Sequence, residues 1–204
     1  LFRSDRGGWF YALHQENGAE ETVVFRADMD AIKGAGNIPY HGCGHDGHSA
    51  ILAGLCLLTE GRVFQKNLCF LFHPAEETGE GGNPCSRLLE ELGADRVYGY
   101  HNLPGYPLGT AVMRRETFSC DTVNTPEITD MSRMLFEQEG IPCLEAAAPF
   151  RWSEDFGWYL KKCQGMYFGI GAGEDCPDLH TPEYEFPDEV IRNAVRCLYL
   201  LAEI

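Results

Sequence analysis

The sequence predicts an α/β domain with a largely parallel sheet covered on both faces. Short apolar runs alternate with amphipathic stretches, the pattern left by strands and helices laid down in turn. Polar clusters fall just after several of the apolar runs. That is where open α/β sheets bind ligands, in the crevice beyond the carboxyl ends of the strands. At 204 residues the chain is long enough to bury one good core, so a single domain spanning 1–204 is expected.

Strands are expected at TVVFRA (22–27), NLCFLF (67–72), RVYGY (96–100), TAVM (110–113) and MYFGI (166–170), each short, apolar and rich in β-branched or aromatic residues. Helices are expected over 47–61, 83–92, 126–139, 153–162 and 187–203. The last carries Val190, Ile191, Ala194, Val195, Leu198 and Leu201 at helical spacing, with Pro187 near its start. From Ser119 to Pro126 a strand end is expected to pass directly to a helix start.

Apolar residues make up 44% of the chain and charged ones 23%, an ordinary globular balance. The net charge of -15, with no Lys/Arg-rich run, repels phosphate backbones and anionic lipid head groups, so neither nucleic acid nor a membrane surface is an expected partner. No apolar stretch approaches the ~20 residues that span a bilayer. The first residues, LFRSDRGGWF, lack the blocks of a secretory signal. Nine cysteines without the close spacing of a disulfide framework fit a reducing compartment, and a cytoplasmic location is expected.

The sharpest cluster is His41-Gly-Cys43-Gly-His45-Asp46-Gly-His48. It sets a thiol and imidazoles at alternate positions of a loop that glycines allow to approach closely. Such donors suit zinc or a similar divalent ion, whereas calcium and magnesium want oxygen. The same residues also read as a Gly-rich turn opening the next helix, with Asp46 as its N-cap. In His73-Pro-Ala-Glu76-Glu77 one carboxylate can bind a metal while the other moves a proton, although adjacent carboxylates at a strand end are often only a solvated turn. His101 in Tyr100-His101-Asn102 and His180 in Leu179-His180-Thr181-Pro182 are weak signals alone. Asp28 and Asp30 share a side of a strand end, where a carboxylate can orient a ligand imidazole or simply cap the strand.

Together RADMDA, HGCGHDGHSA, HPAEETGEGG, GYHNLP, SEDFGWYL and LHTP resemble, in order, the hippurate hydrolase and N-acyl-amino-acid amidohydrolase branch of the aminoacylase and carboxypeptidase dimetal peptidases, which includes the plant hydrolases of auxin–amino acid conjugates. The resemblance implies a three-layer α/β/α zinc-peptidase-like catalytic domain with a mostly parallel mixed sheet. It implies two divalent ions, zinc foremost with manganese, cobalt or nickel as alternatives, held by Cys43, His45, Glu77, His101 and His180. Cys43 would bridge them, Glu76 would be the general base and Asp30 a supporting carboxylate, with Glu154 and Asp155 on the pocket floor. The implied reaction is attack of metal-activated water on the amide of an N-acyl amino acid or small peptide.

The family pattern also includes a lid of roughly a hundred residues, a domain in its own right, inserted near 121–125. It carries dimer contacts, a histidine that stabilises the tetrahedral oxyanion, and contacts to the substrate carboxylate. Here Asp121 runs straight into Thr122-Val123-Asn124-Thr125-Pro126 and no GGHAAxP-like segment is present, so the oligomeric state is left open. His41, His48 and His73 are the candidates to replace the lid histidine. Without a replacement, the alternative is a catalytically impaired metal-binding or interaction protein, because one lost oxyanion donor costs ~100-fold to 1,000-fold in turnover.

Overall fold

The computed structural model describes residues 8–204. The part of the amino-terminal reading that falls on 1–7 lies outside the described residues. In chain order the strands begin with β1 (Phe10–His14), β2 (Thr22–Asp28), β3 (Ile32–Lys33), β4 (Pro39–Tyr40), β5 (Asn67–His73) and β6 (Arg96–Pro104). They continue with β7 (Ala111–Met113), β8 (Thr117–Ser119), β9 (Thr122–Val123), β10 (Cys143–Glu145) and β11 (Gln164–Gly173). The α-helices are α1 (His45–Thr59), α2 (Gly82–Leu92), α3 (Pro126–Gln138), α4 (Gly157–Leu160) and α5 (Glu189–Glu203).

Seven strands form the main sheet in the order β1-β5-β2-β6-β11-β7-β10. Its centre, β5-β2-β6-β11, is parallel. β1 closes one side antiparallel to β5, and β7 runs antiparallel to β11 while β10 follows β7 in parallel. The expected α/β domain with a mostly parallel mixed sheet is therefore the fold observed.

Residue alternation along β2 shows how the layers form. Val23, Phe25 and Ala27 join a core with Ile51, Leu52 and Leu55 of α1 and Val190, Ala194, Leu198 and Leu201 of α5. Val24 enters the opposite core with Cys85, Leu88 and Leu89 of α2 and Tyr159 of α4. A fully buried leucine of this kind stabilises by ~2 kcal/mol. From β2 the chain crosses through α1 to β5 on one side, then through α2 to β6 on the other. Right-handed crossovers in opposite directions put α1 and α2 on opposite faces. The switch point lies between β2 and β6, and their pairing stops at Phe25↔Tyr98. Beyond that pair the strands part, opening the crevice that such folds use for ligands.

The expected strands are present, but several local expectations change. α1 starts at His45 rather than Gly47, with Gly44 rather than Asp46 at its N-cap. Cys43 and His45 therefore sit on a turn and the first helical residue, not on an extended loop. The expected helix over 153–162 shrinks to Gly157–Leu160, because Ser153 to Phe156 turn Glu154 and Asp155 inward. The stretch before Pro126 is not a plain strand-to-helix passage: β8 and β9 pair antiparallel across Cys120 and Asp121. At the expected lid position the chain thus folds straight back on itself. That hairpin rests on α4, where a Cβ at Gly157 would lie 2.1 Å from the Asp121 carbonyl oxygen. Among the described residues, no helix is long and apolar enough to cross a membrane.

Candidate metal centre

Gly44 adopts φ +90°, and a Cβ there would stand 2.7 Å from Tyr184 Oη and 2.8 Å from Asn102 Oδ1. Only glycine fits both constraints, and the tight turn delivers Cys43 and His45 to the crevice. Glu76 and Glu77 leave the end of β5 through Ala75, a non-glycine residue at φ 60°. His180 is also left-handed, at φ 65°, and its backbone N–H donates to the Gly42 carbonyl at 2.7 Å. Such backbone costs about 1–3 kcal/mol per residue and persists where surrounding structure over-determines it. His101 lies on β6, paired across to Gly169 of β11.

These segments bring all five expected ligand residues together. Cys43, His45 and His101 form one group whose ligand atoms lie within 4.8 Å of one another, and Cys43, Glu77 and His180 form a second. Cys43 belongs to both. Cys43 Sγ is 3.4 Å from His101 Nε2, His45 Nε2 is 3.8 Å from Glu77 Oε1, and His180 Nε2 is 3.3 Å from the same oxygen.

The Nδ1 atoms of His45 and His101 are turned away from this centre. His101 Nδ1 donates to the Asn102 carbonyl at 2.8 Å, leaving Nε2 to face Cys43. His45 Nδ1 donates to Asp30 Oδ1 at 3.1 Å, and the other Asp30 oxygen accepts from the Glu77 N–H at 3.0 Å. Asp30 thus sits where a carboxylate would fix both the His45 ring and the Glu77 backbone.

The residues fit a pair of divalent cations. His45 Nε2 and Glu77 Oε1 are buried without a hydrogen-bond partner, which native structures rarely tolerate without an ion or water between them. The cluster also holds on to protons. Burial pushes the Cys43 thiol up to about 12. Burial opposes protonation of His45, but Asp28 and Asp30 outweigh it and push the ring up to about 12. Burial, with Glu154 and Asp28 nearby, pushes Glu76 up to about 9.

Cations would balance this charge and draw Glu76 back toward its ionised form, and at pH 7 they must displace protons from Cys43 and His45. Metal affinity is therefore expected to rise with pH and to fall about tenfold per pH unit for each displaced proton as pH drops. Calorimetry in buffers of different ionisation enthalpy counts the protons; affinity independent of pH contradicts this ligand set.

The model of peptidase family M20/M25/M40 matches residues 24–204. The chain belongs to this family. The N-acetyldiaminopimelate deacetylase of Exiguobacterium sibiricum is 36% identical over 105 residues, covering 46% of this chain and 28% of the relative. The Listeria monocytogenes serotype 4a protein of the same name is 33% identical over 116 residues, covering 50% and 31%. The matched part thus spans about a third of those curated relatives. The Bacillus subtilis YXEP protein, described as a dinuclear metal binding peptidase, shares the fold with a TM-score of 0.79 at 16% identity, covering 95% of this chain and 84% of that one.

The three histidines considered as replacements for the lid histidine do not face the centre of this M20/M25/M40 domain. His41 lies near the surface, with Nδ1 4.0 Å from Asp46 Oδ1. His48 is buried with Nδ1 on Asp28 and Nε2 on the Asn102 side chain, each at 2.5 Å. His73 Nδ1 accepts from Arg26 Nε and Tyr159 Oη at 2.9 Å, while its Nε2 lies 3.0 Å from Asp155 Oδ2.

Two supporting networks were not anticipated from sequence. Asn102 Nδ2 donates to Tyr184 Oη at 2.6 Å, extending the Asp28–His48–Asn102 chain to the loop that carries His180. The other network is centred on Arg26, fully buried in the strand that leads to Asp28. Its guanidinium reaches Asp28 Oδ2 and Asp155 Oδ1 at 2.8 Å and Glu154 Oε1 at 3.3 Å. Asp155 Oδ2 in turn accepts the Gly82 N–H at the start of α2 at 2.7 Å. The signal for His48 was its position three residues after His45. Nothing in TVVFRAD marks its arginine as buried.

Proposed function

We propose that this chain is the catalytic domain of a two-metal amidohydrolase acting on N-acyl amino acids or small peptides, in keeping with its resemblance to the hippurate hydrolase branch. The convergence of two ligand groups on Cys43, with orphaned atoms of His45 and Glu77 between them, supports this reading most strongly. Cys43, His45 and His101 would hold one ion; Cys43, Glu77 and His180 the other. Zinc is the first candidate, with manganese, cobalt and nickel as alternatives.

Bound there, divalent cations supply Lewis acidity, polarising a carbonyl and lowering the pKa of water. Glu76 lies beside the ligand set, with Oε2 3.9 Å from His45 Nε2, and is the general base. It takes the proton of the attacking water and returns it to the departing amine. Asp30 holds the His45 ring in register. Glu154 and Asp155 line the adjoining cavity and tie its floor to Arg26. The nine free thiols support a reducing, cytoplasmic setting.

A second reading, a metal-binding protein with impaired catalysis, is favoured by the arrangement of His41, His48 and His73, none of which offers an N–H to a reacting oxyanion. Assaying the metal-loaded protein against hippurate, N-acetyldiaminopimelate, other N-acyl amino acids and dipeptides separates the two. The amidohydrolase reading expects metal-dependent release of the free amine, whereas stoichiometric metal binding with no turnover on the whole panel favours the second.

A further inference from the structure

A cavity of about 600 Å³ adjoins the ligand cluster. Glu76, Glu77 and His180 line it, and so do Trp152, Trp158 and Lys161. Lys161 is the only lysine or arginine among its lining residues. The ammonium stands over the Trp158 indole, 4.2 Å from the ring centroid. Among the described residues no carboxylate pairs with it, whereas the next residue, Lys162, binds Glu90 Oε1 at 2.8 Å. A neutral aromatic face attracts an ammonium without neutralising it, so the charge is held in place and stays available to an anion.

We propose that Lys161, held on Trp158, binds the free carboxylate of the substrate's amino-acid half and so selects N-acyl amino acids over their neutral amides. This rests on the amidohydrolase reading of the same site. Apart from His180, the cavity's other ionisable side chains are the carboxyls of Asp121, Glu154, Asp155, Glu76 and Glu77, so Lys161 is the one fixed positive charge among its lining residues that an incoming carboxylate meets. Trp152 and Trp158 give the same cavity apolar walls, which suits an apolar amino-acid side chain.

The backbone at Lys161 is anchored on two sides. It is the C-cap of α4, its N–H donates to the Gly157 carbonyl, and α4 is anchored on one side by the β8–β9 hairpin against Gly157. On the other side Asp155, just ahead of the helix, is tied to Arg26. In this lidless chain Lys161 takes over a contact that the family resemblance assigns to the lid.

The test uses metal-loaded wild type, Lys161→Met and Lys161→Arg, with N-acetyl-L-phenylalanine and N-acetyl-L-phenylalaninamide as paired probes. Steady-state kinetics and calorimetric binding are both measured. Lys161→Met is expected to raise KM and Kd for the acid about 5- to 10-fold with kcat changed less than about twofold, and to leave the amide unaffected. Lys161→Arg should restore most of the acid's affinity. The proposal is overturned if Lys161→Met leaves the acid's affinity unchanged, if acid and amide weaken equally, or if wild type does not bind the acid. Absence of turnover in wild type would count against the amidohydrolase reading alone, since the binding comparison still decides the role of Lys161.

Discussion

Replacing Glu76 with glutamine is expected to lower amide hydrolysis about 100-fold to 10,000-fold while the protein keeps its full metal content. Glutamine preserves the shape of the side chain and loses only the ability to carry a proton between water and the leaving amine. Glu76 is absent from both groups that share Cys43, so removing its charge leaves their donor atoms in place. The neighbouring Glu77→Gln should behave in the opposite order, losing metal first and activity as a consequence. Elemental analysis of both variants beside their kinetics makes the distinction. A Glu76→Gln enzyme within tenfold of wild type would remove the assigned base.

The largest stability effect is expected at Arg26. Its guanidinium is fully buried and faces Asp28, Glu154 and Asp155, while Nε donates to His73. Arg26→Met keeps much of the volume but leaves three buried carboxylates without their cation. Removing one partner of a buried ionic group costs about 3–5 kcal/mol, or roughly 10 °C in Tm for a domain of this size. The pH dependence has a definite sign. Burial, opposed by Arg26, raises the Glu154 carboxyl to about 7, so the folded state holds a proton that the unfolded state has released. Stability from that proton is present at acidic pH and is lost as pH climbs toward and through 7. Without Arg26 the carboxyl should move further up, so Arg26→Met is expected to be better tolerated near pH 5 than at pH 8, and Glu154→Gln in that background should recover part of the loss. Thermal melts at the two pH values check this; a Tm change under about 2 °C at both would show that the network carries little energy.

Much of the architecture was legible because strands buried on both faces appear as apolar runs. TVVFRA and NLCFLF need no partner to be recognised. The edge strand Phe10–His14 is half solvated and pairs antiparallel, so its residues carry no comparable signal. The helix expected over 153–162 is longer than the one that forms, because attraction of Asp155 and Glu154 to Arg26 outweighs local helical preference over Ser153 to Phe156. The candidate ligand set could be read from residue types that gain chemical meaning only in combination. Its supports could not, since the roles of Arg26, Asn102 and Tyr184 depend on which strands become neighbours.

The claim on which the rest depends is that Cys43 belongs to both ligand groups. A crystal structure of protein loaded with zinc, with anomalous scattering used to place the ions, tests it directly. Two ions should appear, each about 2.3 Å from the Cys43 sulfur. A single ion, or two ions that do not both contact that sulfur, would contradict the account.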